Sequence, residues 1–314
     1  VKTIDQDILN QELSVMQNCR ICPRNCGADR FSDKLGYCKS DAGIHISSIC
    51  SHRGEEPVIS GKNGICNIFF SHCNLQCIFC QNHQISYNHI PTSKKWRPEE
   101  VIGSIINLLD EGCMNVGFVS PSHFIPQMKF IIRQLRQHGR NPVFVYNTNA
   151  FDTIETIAGL ESKVDVYLPD FKYADKELSR KYSDAARYPE FALKAIKEMY
   201  RQKGSSLHLN EDGIAESGLI IRHLVLPGHV QNSLDVLRLI ADEISVNVHI
   251  SLMSQYHPTV NVKGRVPLNR ELYVEEYQQV VDEFHALGFR KGWIQELESS
   301  THYNPDFRKE HPFE

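Results

Sequence analysis

From about residue 62 the chain alternates short apolar runs with longer amphipathic ones, a beat that predicts strands followed by helices. The run "GICNIFF" (64–70) predicts a strand, and "RPEEVIGSIINLLDEG" (97–112) a helix with Pro98 in its first turn. "NVGFVS" (115–120) is the next strand, followed by a helix over "FIPQMKFIIRQLRQHG" that stops at Gly139. "NPVFVYNTN" (141–149) and "VDVYLPDFK" (164–172) read as strands, each followed by helical sequence: "TIETIAGLE" (153–161), then most of 174–203. "GLIIRHLVLPG" (218–228) and "NVHISLMSQYH" (247–257) are the last two strands, with helices over 233–244 and 270–288. Six such units with near-continuous apolar strands predict a parallel sheet with helices outside. Eight would close a barrel, so the expected fold is α/β, a partial (β/α)6 TIM-type barrel over 61–314. Residues 1–60 show no such beat and are expected to form a Cys-rich N-terminal extension.

Polar residues fall at the C-terminal ends of the predicted strands: Cys73, Ser120, Asn147, Thr148, Asn149, Asp170, His229 and His257. In parallel barrels that rim is where chemistry is done. An open barrel also leaves a lateral gap through which a loop of another chain can enter.

Composition narrows the picture without deciding it. A chain of 314 residues, 41% hydrophobic and 23% charged, is that of a globular protein. The net charge of −4 and pI near 6.4 argue against nucleic-acid binding. No apolar run is long enough to span a bilayer, so no membrane partner is expected. The stretch "VKTIDQDILNQELS" lacks the apolar core of a signal peptide, and a cytoplasmic location is the expectation.

Nine of the ten cysteines lie between Cys19 and Cys80, in spacings that favour metal thiolates over disulfides. Cys113 stands apart and reads as a small core residue. "SHCNLQCIFCQNHQISYN" (71–88) holds Cys73, Cys77 and Cys80 at C-x₃-C-x₂-C spacing, with no fourth cysteine in the thirty residues that follow. A zinc knuckle would need His72, His83 or His89 as fourth ligand. The alternative is a 4Fe–4S cluster with one iron left open to a substrate or cofactor. Cys19, Cys22, Cys26 and Cys38 form a separate C-x₂-C-x₃-C-x₁₁-C set, complete for either zinc or a second iron–sulfur cluster. Cys50 and Cys66 are alternative ligands there, and His52 a weaker one.

The three-cysteine loop directly after the first strand, with Phe79 inside it and five βα units behind it, resembles the radical S-adenosylmethionine superfamily. The chain is similar, more narrowly, to pyruvate formate-lyase activating enzymes, in a group of homologues with an N-terminal "CRICPRNCGADR…LGYC" segment. "YNTNAF" (146–151) resembles the family's Asp-Thr-Asn-Gly strand end, departing at Asn147 and Ala150. "DFK" (170–172), "IRHLVLPG" (221–228) and "QYHP" (255–258) resemble its Asp-Leu-Lys, its Arg-bearing strand and its Tyr-His. The family's Gly-Gly-Glu, whose carboxylate pairs with the amino group of S-adenosylmethionine, is replaced by "SPSH", Ser120 to His123. The resemblance implies a 4Fe–4S cluster on Cys73, Cys77 and Cys80 with S-adenosylmethionine on its open iron. It implies cofactor contacts from Phe79, Ser120, Ser122, His123, Asn147, Thr148, Asn149 and Asp170, and catalytic roles for Lys172, Arg222 and His257. It also implies a flavodoxin or ferredoxin as electron donor and hydrogen abstraction from a protein or peptide. Alternatives from the residues themselves are a radical enzyme acting on a small molecule and a non-catalytic metal-binding or electron-carrier module.

Overall fold

The computed structural model describes residues 6–91, 94–297, 305–309 and 311–313. In chain order the elements are α1 (Gln6–Leu13), β1 (Ile44–His52), α2 (Pro57–Ser60), β2 (Ile65–Phe70), α3 (His83–Ser86) and β3 (Lys95–Trp96). Then follow α4 (Pro98–Asp110), β4 (Asn115–Val119), α5 (Ile125–Gln137), β5 (Val143–Thr148), α6 (Ile154–Ala158) and β6 (Val166–Pro169). The remainder is α7 (Lys176–Ser183), α8 (Tyr188–Lys203), β7 (His208–Leu209), β8 (Ala215–Leu224), α9 (Val230–Glu243), β9 (His249–Met253), α10 (Val274–Ala286) and β10 (Gly292–Ile294).

The strands form one open sheet in the order β10-β9-β8-β6-β5-β4-β2-β1-β3, with β7 paired to β8. From β2 through β10 every neighbour along this path is parallel, which is the predicted partial barrel with helices outside. Strands β2, β4 and β6 are buried at every residue, as expected for strands covered on both faces. The predicted helix signal at Pro98 is used, since it opens α4 beside a Glu100 capping box; Asp175 caps α7 by accepting from the Glu177 and Leu178 amides.

Two elements depart from the sequence expectation. The extension contributes β1, which pairs antiparallel with β2 from Ile46 to His52 and so joins the main sheet. Its "IHISSICSH" run alternates only loosely and sits among turns, which hid it. A seventh parallel strand, β10, follows α10; three residues long and mostly exposed, it carries too little apolar signal to read.

The extension is tied down by Arg30, 1% exposed, whose guanidinium donates to the Ser40 and Asp41 carbonyls and, at 2.5 Å, to the carbonyl of His123. Residues 305–313, as far as they are described, pack against the β1–β2 side of the sheet, and Pro305 and Phe313 line the cavity at the strand ends. Phe307 and Phe313 pack on Phe69 of β2, and Phe313 lies 3.9 Å from the His52 ring of β1.

Candidate active site

The turn after β2 carries Cys73, Cys77 and Cys80, whose side chains line one cavity of about 210 Å³ at the C-terminal rim of the sheet. Each sulfur accepts from a neighbour: Cys73 from Asn149 Nδ2 at 3.2 Å, Cys77 from Ser183 Oγ at 2.9 Å, Cys80 from Ser86 Oγ at 3.2 Å. The Leu75 amide adds a second bond to Cys73 at 3.4 Å. Burial raises the Cys73 thiol to about 12 and the Cys77 thiol to about 11, so protons are held until a metal displaces them. The donor set fits a cluster with thiolate ligands: three sulfurs face one space, and each has a donor to stabilise negative charge.

His72 is not available as a fourth ligand. Its Nδ1 faces Ser40 Oγ at 3.3 Å and its Nε2 the Ile90 carbonyl at 2.8 Å. Among the described residues no group of three or more His, Cys, Asp or Glu side chains is gathered closely enough to hold a single metal ion. That applies to the N-terminal set as well, where Cys19, Cys22 and Cys38 are buried and Cys26 is exposed.

Most of the predicted rim residues do meet the cysteines. Phe79, Ser120, Asn147, Asn149, Asp170, Lys172 and Arg222 all line the same cavity. Lys172 Nζ donates to Asp170 Oδ2 at 2.6 Å; burial favours a neutral amine, but the Asp170 charge outweighs it and holds Lys172 protonated. The backbone is left-handed at Ser120 (φ 52°) and at Ala150 (φ 60°), the position where the family motif has glycine.

Five predicted residues lie elsewhere. Ser122 is fully buried with its hydroxyl 3.1 Å from Thr148 Oγ1, and Thr148 in turn donates to Asp152 at 2.6 Å. Thr148 alternates with its two asparagine neighbours and therefore faces the other side of the strand end. His123 Nε2 is bound to the Ser71 carbonyl at 3.0 Å, and burial lowers this imidazole to about 3, so it is a neutral structural group. His257 is half-exposed, 3.7 Å from Glu271, outside the cavity. His229 also lies outside it, bonded to the Tyr182 hydroxyl at 2.9 Å.

Sequence reading missed Glu55 and Glu56, and it named His52 only as a weaker alternative ligand for the N-terminal set, whereas the ring lines this cavity. Arg222 donates to both glutamates, through Nε to Glu56 Oε1 at 2.9 Å and through Nη2 to each of the two. Arg222 is therefore a held group and not a free carboxylate receptor. The doubled acid in "GEEP" resembles any solvated turn, and its partner stands 166 residues away in sequence, so no local signal marks it.

Against known proteins, residues 67–209 match the family model of the radical SAM superfamily. An uncharacterized protein, MJ0674 of Methanocaldococcus jannaschii, is 29% identical over 281 residues, covering 86% of this chain and 75% of that protein. Among solved structures, Streptococcus suis SuiB bound to S-adenosylmethionine matches with a TM-score of 0.51 at 11% identity, over 74% of this chain and 50% of that one. HydG, a maturase of the [FeFe]-hydrogenase, matches with a TM-score of 0.52 at 14% identity, over 94% of this chain and 59% of that one. At these identities the likeness is one of fold, and the chain spans 50% of the length of the first structure and 59% of the second. No helix among the described residues is long and apolar enough to cross a membrane. The matched stretch holds the three-cysteine loop and several of the strand ends around it, so the similarity to the radical S-adenosylmethionine superfamily falls on residues that line the cavity.

Proposed function

We propose that the protein is a radical S-adenosylmethionine enzyme that abstracts hydrogen from a protein or peptide, as glycyl-radical activating enzymes do. The observation that carries the reading is three thiols, two of them buried and each with a hydrogen-bond donor, around one cavity at the strand ends. Cys73, Cys77 and Cys80 would hold the 4Fe–4S cluster, leaving its fourth position to S-adenosylmethionine. When bound, the cluster supplies one electron to the sulfonium, which yields a 5′-deoxyadenosyl radical. The chain's own work is to orient and to exclude water. Ser183, Ser86 and Asn149 fix the sulfurs, and Phe79 and Leu75 give the cavity apolar walls. Lys172, held protonated by its ion pair with Asp170, stands fixed beside the three sulfurs.

The polypeptide substrate rests on the family-like motifs at strand ends, and a flavodoxin or ferredoxin would supply the electron. Ten free cysteines suit a reducing compartment such as the cytoplasm. A second metal, zinc or iron–sulfur, on Cys19, Cys22, Cys26 and Cys38 belongs to the same proposal. A small-molecule substrate is the second reading, favoured by Pro305 and Phe313, which add walls to the cavity. Incubating the reduced, reconstituted protein and S-adenosylmethionine with candidate glycyl-radical partners, followed by electron paramagnetic resonance, separates the two. A glycyl doublet supports the activase reading; 5′-deoxyadenosine release stimulated only by small metabolites rejects it.

A further inference from the structure

The loop between β9 and α10, residues 254–273, is fastened to the three-cysteine loop. Thr259 Oγ1 donates to the Ile78 carbonyl at 3.4 Å, and Gln81 Nε2 donates to the Gln255 carbonyl at 3.0 Å. The Tyr256 hydroxyl donates to the Leu268 carbonyl at 2.5 Å, and Pro267 packs on Gly228, where a Cβ would stand 2.4 Å from its Cγ. The loop is therefore a fixed platform, and beyond Gln255 none of its residues lines the cavity.

This platform turns an apolar and basic surface to solvent. Val260 and Val266 stand 75% and 78% exposed, with Lys263 and Arg265 exposed between them. From Pro258 to Arg270 the sequence holds three cations and no acid. The acids that follow are engaged elsewhere: Glu271 faces His257 at 3.7 Å, and Glu276 bonds Arg270 at 2.7 Å. Exposed apolar side chains flanked by unmatched positive charge suit an acidic partner with an apolar contact patch.

The same surface reaches the backbone of the cysteine loop. Tyr87, half-buried beside the exposed His89, donates through its hydroxyl to the Cys77 carbonyl at 3.4 Å and the Ile78 carbonyl at 3.3 Å. Arg265 stands close enough for its charge to act on this phenol. One side chain thus links the surface to the peptide of a thiol that lines the cavity, although Tyr87 itself does not border that cavity. Hydrogen abstraction needs the reacting atoms in contact, whereas an electron can cross an intervening side chain. A partner seated here is placed for electron transfer and not for hydrogen abstraction.

We propose that the surface formed by Val260, Lys263, Arg265 and Val266, beside Tyr87, is the docking site of an acidic one-electron carrier protein. The carrier gives up one electron, the cluster on Cys73, Cys77 and Cys80 takes it, and no bond is made or broken. The inference rests on the proposed function, since it takes those cysteines to hold a reducible cluster.

Surface plasmon resonance with the anaerobically reconstituted full chain tests it, with two acidic carriers as analytes, a flavodoxin and a 4Fe–4S ferredoxin. Wild type should bind at least one of them, with an affinity that falls as salt rises. Lys263→Glu combined with Arg265→Glu should weaken that binding by about tenfold or more, chiefly through slower association. Lys62→Glu combined with Lys291→Glu is the control of equal charge change. Both lysines are exposed shortly ahead of β2 and β10, at the opposite end of the sheet. This control should bind within about twofold of wild type, because its charges are screened from the docked partner. The same order should hold for the rate at which the reduced carrier bleaches the cluster, while dithionite, which needs no docking, reduces every variant alike. Wild type binding neither carrier overturns the proposal, as does undiminished binding by the Lys263 and Arg265 variant or an equal loss in the control. Weakened binding of a glycyl-radical partner by that variant, with carrier binding intact, assigns the surface to the substrate and also overturns it. A protein that assembles no cluster counts against the proposed function, and the binding comparison then still decides the docking site.

Discussion

Cys73, Cys77 and Cys80 line a cavity, and each sulfur receives a hydrogen bond from a side chain of another segment. Cys19, Cys22, Cys26 and Cys38 line no part of that cavity, and the exposed Cys26 has its thiol 3.8 Å from the Cys19 carbonyl. The sulfurs of the first set have side-chain donors that would stabilise thiolates on a bound metal, while the segment of the second set holds chain to chain. Arg24, between Cys22 and Cys26, donates to the Asn74 carbonyl at 2.8 Å, inside the triad's own loop. Asn88 links the Tyr37 carbonyl, at 2.8 Å, to the Cys73 amide, at 3.2 Å. The N-terminal knuckle thus braces the loop that would carry the cluster. The comparison teaches that two sets alike in residue type can differ in task, and that one is the support of the other.

The largest effect should come from replacing Cys19, Cys22, Cys26 and Cys38 together with serine. If they hold a metal that helps fold the extension, its loss should lower the melting temperature by roughly 10 °C or more and reduce iron retained by the triad. Conversely, the triple alanine variant of Cys73, Cys77 and Cys80 should keep its N-terminal metal in elemental analysis. Finding neither zinc nor iron in that variant would remove the second site. Next in size, Arg30→Met should cost about 3 kcal/mol in urea unfolding, because the Ser40, Asp41 and His123 carbonyls lose a buried donor. Ser183→Ala should leave the fold unchanged and lower the cluster's reduction potential by about 50 mV in a redox titration, since one thiolate loses its donor. The smallest effect is expected from His257→Ala: less than a twofold change in 5′-deoxyadenosine formation, because the ring stands half-exposed outside the cavity.

The parts of this site that could be read from sequence are those set by the βα beat. Once the six strands are placed, the rule that strand C-termini share a rim brings Ser120, Asn147, Asp170, Lys172 and Arg222 together with the cysteines. What lay beyond reading was side-chain direction after a strand ends, and contacts between distant segments. Ser122 and His123 follow Ser120 within three residues but turn into the core, because the left-handed backbone at Ser120 redirects the chain. Glu55 and Glu56 reach Arg222, and Phe313 reaches His52, through closures that no local periodicity encodes.

The central claim is that Cys73, Cys77 and Cys80 hold a cluster that cleaves S-adenosylmethionine, and product release tests it most directly. Protein reconstituted with iron and sulfide without oxygen, then reduced with dithionite, is incubated with S-adenosylmethionine and assayed for 5′-deoxyadenosine. Wild type should release it and Cys77→Ala should release none. Undiminished release by Cys77→Ala, or none by wild type carrying a full complement of iron, would contradict the account.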